Sequence, residues 1–296
     1  MNCETTFLVG AGRSGSTLLY KLLCLHPDVA YISNYDTRLP AGLSGWATRC
    51  FGADAESKRS AWFNSAGNAY VVNRPLLKRL FPMPVEGEQL YERCDIPLHP
   101  AADYAPDEKT INCMRKQFAT LCRRKNARFL VSKRTANNRR IAALSRIFPD
   151  AKFVNLIRDG RDVAYSLSQV EWWAGHPVWW DGRTAAEMEQ SGLQRLFICA
   201  KNWVMDTQEV SAGLDALQAE NVLTIRYEDM IADPGEVLSG VCSFVGLAPF
   251  DGYFQAIEAT KLKPRSSAWS AKWTDAEASL VENEQRDLLL KLGYLD

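Results

Sequence analysis

Five short apolar runs, rich in β-branched residues, punctuate the chain: Phe7–Val9, Val29–Ile32, Phe129–Val131, Phe153–Ile157 and Val222–Ile225. Each run is continuous rather than alternating, the pattern of a strand buried on both faces. Between the runs, apolar residues recur at helical spacing. Thr17–Leu25 is apolar on most faces. Ile111, Met114, Phe118, Leu121 and Cys122 share one face of a second helix. Ile141, Leu144, Ile147 and Phe148 share a face of a third, which Pro149 ends. Val163, Leu167 and Val170 follow the fourth run. Val237, Val241, Phe244 and Val245 follow the fifth, entered through Asp233-Pro234. Strands alternating with helices predict an α/β fold of three layers, a mainly parallel sheet with helices on both faces. Ligands of such sheets bind beyond the carboxyl ends of the strands.

Two segments break the rhythm. Residues 37–110 carry P-A-G-L-S-G, F-P-M-P and P-L-H-P-A-A-D-Y-A-P, and residues 171–192 are rich in tryptophan. They read as insertions covering the active site of one domain that spans residues 1–296. The chain is 47% apolar and 24% charged, enough for one large core or two modest ones. Lysine plus arginine and aspartate plus glutamate both number 35, so bulk charge does not suggest a nucleic acid partner. No run of about eighteen apolar residues predicts a spanning helix. The start leads directly into a strand, without the basic and apolar regions of a signal peptide. Cys3, Cys24, Cys50, Cys94, Cys113, Cys122, Cys199 and Cys242 are scattered, with no C-x-x-C pair. Cys94 with His99 alone is not a metal site. The expectation is reduced thiols in a cytoplasmic protein.

Chemistry concentrates at the strand ends. Residues 5–19 read T-T-F-L-V-G-A-G-R-S-G-S-T-L-L. A strand, a Gly-rich turn and a helix N-terminus make an anion site, because turn amides and the helix dipole point at one spot. Gly10, Gly15, Ser16 and Thr17 approach the spacing of a nucleotide phosphate loop. Ser16 stands where that loop has lysine, and Arg13 is the cation of the turn. A second strand end reads F-V-N-L-I-R-D-G-R-D-V-A-Y-S-L, residues 153–167. Arg158 sits at its lip, and Ser166 lies about two helical turns on. A surface ion pair with Asp159 or Asp162 is the alternative use of Arg158. Two anion-ready strand ends in one sheet suit a nucleotide with phosphates at both ends.

The loop G-A-G-R-S-G-S-T-L-L with the following H-P-D-V, and the segment F-P-D-A-K-F-V-N-L-I-R-D-G-R-D-V-A-Y-S-L, together resemble the sulfotransferase family. The likeness is to its bacterial and tyrosylprotein-type branch, with Arg13 where cytosolic members carry lysine. T-I-R-Y-E-D-M-I-A-D-P, residues 224–234, and S-S-A-W-S-A-K-W, residues 266–273, resemble two further family segments. The resemblance implies a P-loop nucleotide-hydrolase-like fold and the co-substrate 3′-phosphoadenosine-5′-phosphosulfate (PAPS), with 3′-phosphoadenosine-5′-phosphate (PAP) as product and no metal. It implies Gly12, Arg13, Ser14, Gly15, Ser16 and Thr17 at the 5′-phosphosulfate. Arg158, Ser166, Tyr227, Ser266, Ser267 and Lys272 would then lie at the 3′-phosphate and adenine. Lys133, at the head of K-R-T-A-N-N-R-R, is similar to the family's strand-end lysine and would join Arg13 in catalysis; Arg134-Thr135-Ala136 departs from the pattern. Arg139 and Arg140 in that cluster read as solvated surface.

The acceptor hydroxyl needs a general base. In S-N-Y-D-T-R-L-P, Asp36 stands where tyrosylprotein-type relatives have a glutamate. His99 and His176 compete for the role, whereas His26, before Pro27, reads as structural. Trp172, Trp173, Trp179 and Trp180 form a packed lid, an oligomer contact or an acceptor platform. The acceptor is a small-molecule, lipid or carbohydrate hydroxyl. Two other functions fit the loop: a P-loop kinase-like phosphotransferase, opposed by Ser16 and the lack of a clear Mg²⁺-binding aspartate, and a non-catalytic nucleotide-binding protein on the same fold.

Overall fold

The computed structural model describes residues 3–38, 54–63, 81–101, 103–264 and 268–295. Each of the five apolar runs is a strand: β1 (Glu4–Val9), β2 (Val29–Tyr31), β3 (Phe129–Lys133), β4 (Lys152–Ile157) and β5 (Val222–Arg226). They form one sheet in the order β2-β3-β1-β4-β5, and every pairing is parallel. Strand order reverses about β1, which lies between β3 and β4. The register pairs Leu8 with Lys133 and Val9 with Asn155, so the loops after β1, β3 and β4 leave the sheet side by side. That crevice is where open parallel sheets place ligands.

Successive strand residues point to opposite faces, and both faces are covered. Leu8, Val131, Val154 and Leu156 pack beneath helices Ser16–Leu23, Pro234–Val245 and Asp251–Thr260. Phe7, Val9, Leu130 and Phe153 pack beneath helices Glu108–Lys125 and Ile141–Ile147. This two-sided burial is why the strands read as unbroken apolar runs. Helix Glu108–Lys125 begins where the Asp107 side chain accepts the Thr110 amide, and ends at left-handed Asn126. In the described part of residues 37–110, the chain bridges Ser33 to Pro84 and then forms the short helix Glu88–Glu92. In the second insertion, a 3₁₀ turn Glu171–Gly175 precedes helix Ala185–Gln190.

One long element is absent from the sequence expectation. Arg195–Asp215 is a helix of 21 residues that packs on helices Gly160–Ser168 and Asp275–Lys291. Its buried stripe runs Ile198, Asn202, Asp206, Val210, Leu214. Two polar residues interrupt that stripe at helical spacing, which hides its amphipathic pattern.

The expectation of scattered reduced thiols needs correction. Cys3 is bonded to Cys122 and Cys94 to Cys113, across Cα separations of 6.0 and 5.5 Å. Both bonds fasten helix Glu108–Lys125, one to the start of β1 and one to the segment after helix Glu88–Glu92. Only folding brings Cys3 beside Cys122, 119 residues away, so their spacing carries no signal. Cys24, Cys199 and Cys242 are free and buried, and Cys50 lies outside the described residues. Disulfides persist in oxidising surroundings, which bears against the cytoplasmic setting that the scattered cysteines suggest. Among the described residues no helix is long and apolar enough to cross a membrane. Proteolysis of the unreduced protein is expected to release Cys3–Cys122 and Cys94–Cys113 as linked peptides. Mass spectrometry that recovered all four as free thiols would refute the pairing.

Candidate active site

The turn after β1 is wound tightly. Ser14 donates both its amide (3.2 Å) and its hydroxyl (2.6 Å) to the Ala11 carbonyl. Gly15 then caps helix Ser16–Leu23 with a left-handed φ of 95°. A Cβ on Gly15 would sit 2.6 Å from the Tyr227 ring, so only glycine allows this approach. The first amides of the helix have no intrahelical acceptor, and Gly15, Ser16 and Thr17 line the cavity above the sheet. Ser14 does not line it. Its hydroxyl closes the turn from within and borders a separate cavity on the other side.

The second strand end closes on the first. Arg158 is 6% exposed at the end of β4. It donates an Nη1 hydrogen bond of 3.2 Å to the Arg13 carbonyl, and its guanidinium stacks 4.2 Å from the Tyr227 ring centre. Arg13 in turn donates its Nε to the Ser166 hydroxyl, 3.1 Å away. Arg13, Arg158, Ser166 and Tyr227, taken from three distant stretches of chain, thus meet on one wall. Asp162 approaches Arg158 to 3.8 Å, while Asp159 is engaged by Arg161 and caps helix Gly160–Ser168. The ion-pair alternative is therefore partly realised, but it is buried rather than on the surface.

Lys133 ends β3, is 6% exposed and hydrogen-bonds Glu86. Glu86 also takes Arg134, and Glu88 takes Arg134 and Arg140. Burial raises the Glu86 carboxyl, but Lys133 and Arg134 outweigh it and hold the group at about 2. Arg139 and Arg140 are not solvated: their side chains are 10% and 0% exposed. The sequence alone did not reveal the two glutamates that make the burial of Lys133, Arg134 and Arg140 tolerable.

These walls enclose a cavity of about 1180 Å³. That exceeds the roughly 300–1,000 Å³ of a pocket for one drug-sized ligand, so there is room for two molecules side by side. Trp172, Trp173, Trp179, His99 and His176 line its far part. Trp173 is also packed into a core cluster, Trp172 is 58% exposed at the rim, and Trp180 turns away to donate to Asn202. Burial lowers the imidazole pKa of His99 and of His176, and nearby arginines add to the effect, Arg139 among them.

Asp206, which the sequence reading missed, stands at the junction of these parts. It is buried, lines the cavity and accepts from the Gly12 amide (3.2 Å), the Trp179 indole (2.9 Å) and the Asn202 amide (3.4 Å). Burial raises its carboxyl above the ordinary range against the pull of those donors and of Arg139. The available signal was an Asp and an Asn four residues apart on an otherwise apolar helical stripe.

Two predicted residues are held elsewhere. Asp36 accepts from the Ser33 amide and hydroxyl, lies 3.5 Å from buried Lys125, and is not among the described residues lining the cavity. A carboxylate tied down this way serves the start of helix Asn34–Arg38, as a turn aspartate does. Lys272 is exposed on a turn whose tryptophans pack inward, Trp269 on Arg161 and Trp273 on Tyr165. It does not line the cavity, and Ser266 and Ser267 lie outside the described residues. His26 is structural as expected: Nδ1 accepts the Asp28 amide, so Nε2 carries the proton and donates to the Ala248 carbonyl.

Residues 6–252 match the sulfotransferase family. The chain belongs to that family. No curated protein sequence matches it. Among solved structures, it resembles the sulfotransferase domain from the curacin biosynthetic pathway, with a TM-score of 0.54 at 16% identity, covering 97% of this chain and 98% of that one. It also resembles sulfotransferase STF1 from Mycobacterium tuberculosis, with a TM-score of 0.56 at 18% identity, covering 97% and 76%. Sulfotransferase STF9 from Mycobacterium avium gives a TM-score of 0.56 at 13% identity, covering 98% and 77%. At these identities the likeness is one of fold.

In this sulfotransferase the close approach of Gly15 to Tyr227 sets a testable cost. Gly15→Ala is expected to lower unfolding free energy by about 1–3 kcal/mol. Gly12→Ala, whose added carbon would meet nothing nearer than 3.9 Å, is the control and should cost less. Equal losses in urea titrations would refute the close-approach argument.

Proposed function

We propose that the protein moves a sulfuryl group from PAPS to the hydroxyl of an acceptor held against the tryptophan wall. The observation that carries the proposal is the joining of the two anion cradles. Arg13 reaches Ser166 and Arg158 reaches the Arg13 carbonyl, so both cradles open on one cavity. A donor with a 5′-phosphosulfate and a 3′-phosphate requires such a pair. Arg13 and the amides of Gly15, Ser16 and Thr17 would hold the phosphosulfate. Arg158, Ser166 and Tyr227 would hold the 3′-phosphate and the nucleoside.

Sulfuryl transfer, like phosphoryl transfer, is expected to pass through a loose in-line transition state with charge growing on the leaving oxygen. Arg13 and Lys133 are fixed cations placed to take up that charge. The acceptor oxygen bonds to sulfur as the bond from sulfur to the phosphate oxygen breaks. The acceptor proton passes to a carboxylate on this wall. Asp206 suits that role better than Asp36, because it lines the cavity beside the Gly12 amide and its pKa is raised. Glu86, held at about 2, is too weak a base. The kinase-like reading lacks its lysine, since Ser16 occupies that place.

Calorimetric titration with PAP against ATP tests the donor assignment. PAP is expected to bind and ATP to bind far more weakly. Arg158→Ala should weaken PAP by roughly ten- to a hundredfold, the loss of about 1.5–3 kcal/mol for a charged hydrogen bond. Tight ATP binding without PAP binding would overturn the proposal.

Turnover of labelled PAPS with a panel of phenols and alcohols tests the base. Asp206→Asn is expected to lower kcat about 10²–10⁴-fold, and Asp36→Asn to leave it nearly unchanged. The base works deprotonated, so wild-type rates should fall as pH drops through the Asp206 pKa, at a pH above the ordinary aspartate value. An Asp206→Asn enzyme with that limb intact would exclude Asp206.

A further inference from the structure

Among the described residues, Arg139 is a buried cation whose ion pair, with Asp206, is a long one. It ends the 3₁₀ turn Thr135–Arg139 that follows β3. Its side chain is 10% exposed and lines the large cavity. The guanidinium stacks 4.7 Å from the Trp179 ring centre. Its buried Nε has no hydrogen-bond partner, and no hydrogen bond joins the group to any described residue. Asp206 supplies charge but leaves the hydrogen bonds of the guanidinium unmade. Its nearest oxygen is 3.9 Å away, beyond hydrogen-bond reach, and its carboxylate already accepts from Gly12, Trp179 and Asn202.

The neighbouring cations are differently placed. Lys133, Arg134 and Arg140 are matched by Glu86 and Glu88, and Arg13 and Arg158 are engaged in the two donor cradles. Burying a guanidinium without hydrogen-bond partners is costly, and the group is shaped for a planar oxyanion gripped by two parallel hydrogen bonds. Its surroundings, Trp179 with His99 and His176 nearby, belong to the aromatic end of the cavity.

We propose that Arg139 is an oxyanion subsite for the acceptor, and that the acceptor class is a hydroxyl compound bearing a carboxylate. The ring or chain of such a compound would lie along the tryptophans, its carboxylate on Arg139 and its hydroxyl toward Asp206. The assignment rests on the sulfotransferase reading above. It goes further in limiting the acceptor to acids.

The probe is 4-hydroxyphenylacetate, compared with p-cresol, which has the same phenol and no carboxylate. Each is titrated by calorimetry into wild-type protein saturated with PAP. The acid is expected to bind at least about tenfold tighter than p-cresol, as a charge-assisted bidentate contact should provide. Arg139→Met should remove that preference, and Arg139→Lys should keep part of it, which separates lost recognition from misfolding. The proposal is overturned if the acid binds no tighter than p-cresol, or if the preference survives in Arg139→Met. It is also overturned if Arg139→Met weakens PAP itself tenfold or more, because the guanidinium would then serve the donor. Failure of wild-type protein to bind PAP would count against the sulfotransferase reading instead. The acid and p-cresol titrations of nucleotide-free protein would still read Arg139, with the same preference supporting the subsite and its absence overturning it.

Discussion

Arg158 is the contact on which the site depends. A guanidinium buried at a strand end is tolerable only when its surroundings are fixed. Here the Arg13 carbonyl, the Tyr227 ring and the Asp162 carboxylate surround it. Those partners come from the loops after β1 and β5 and from the helix after β4. One side chain thereby joins two strand-end loops whose segments lie 145 residues apart. The parallel register beneath it makes this possible, since β1 and β4 are neighbours and Val9, the last residue of β1, pairs with Asn155 near the end of β4.

The sheet and the meeting of polar loops at its strand ends were legible in the sequence for a shared reason. Strands buried on both faces leave unbroken apolar runs, and anion-binding loops need particular residues close together in the chain. Arg13 with Gly15, and Arg158 with Ser166, are local patterns of that kind. The rest of the cavity lining was not legible, because it is assembled from afar. Glu86 and Glu88 meet Lys133, Arg134 and Arg140 across some 46 to 52 residues. Asp206 reaches the Gly12 amide across 194 residues. The motif around Asp36 could not show where its side chain turns. Ser33, three residues earlier, captures it.

The two halves of the cavity also balance charge differently. In one part, Arg13, Arg158 and the residues of the first turn line the cavity, with Asp162 approaching Arg158. At Lys133, Arg134 and Arg140 the protein supplies the carboxylates of Glu86 and Glu88, and Arg139 has the long ion pair with Asp206. Such an arrangement keeps the empty cavity from becoming a wide cationic basin that would collect any polyanion. It confines the strongest attraction to a few fixed points.

The bond between Cys94 and Cys113 takes on a second meaning in this light. Cys94 closes the short segment that carries Glu86 and Glu88, and Cys113 lies in the first half of the helix that braces the sheet. The two carboxylates are therefore moored covalently, not merely packed. The electrostatic setting of Lys133 is inherited from a crosslink that touches no ligand, and cutting that crosslink would loosen the counter-charges before it disturbed the cradles.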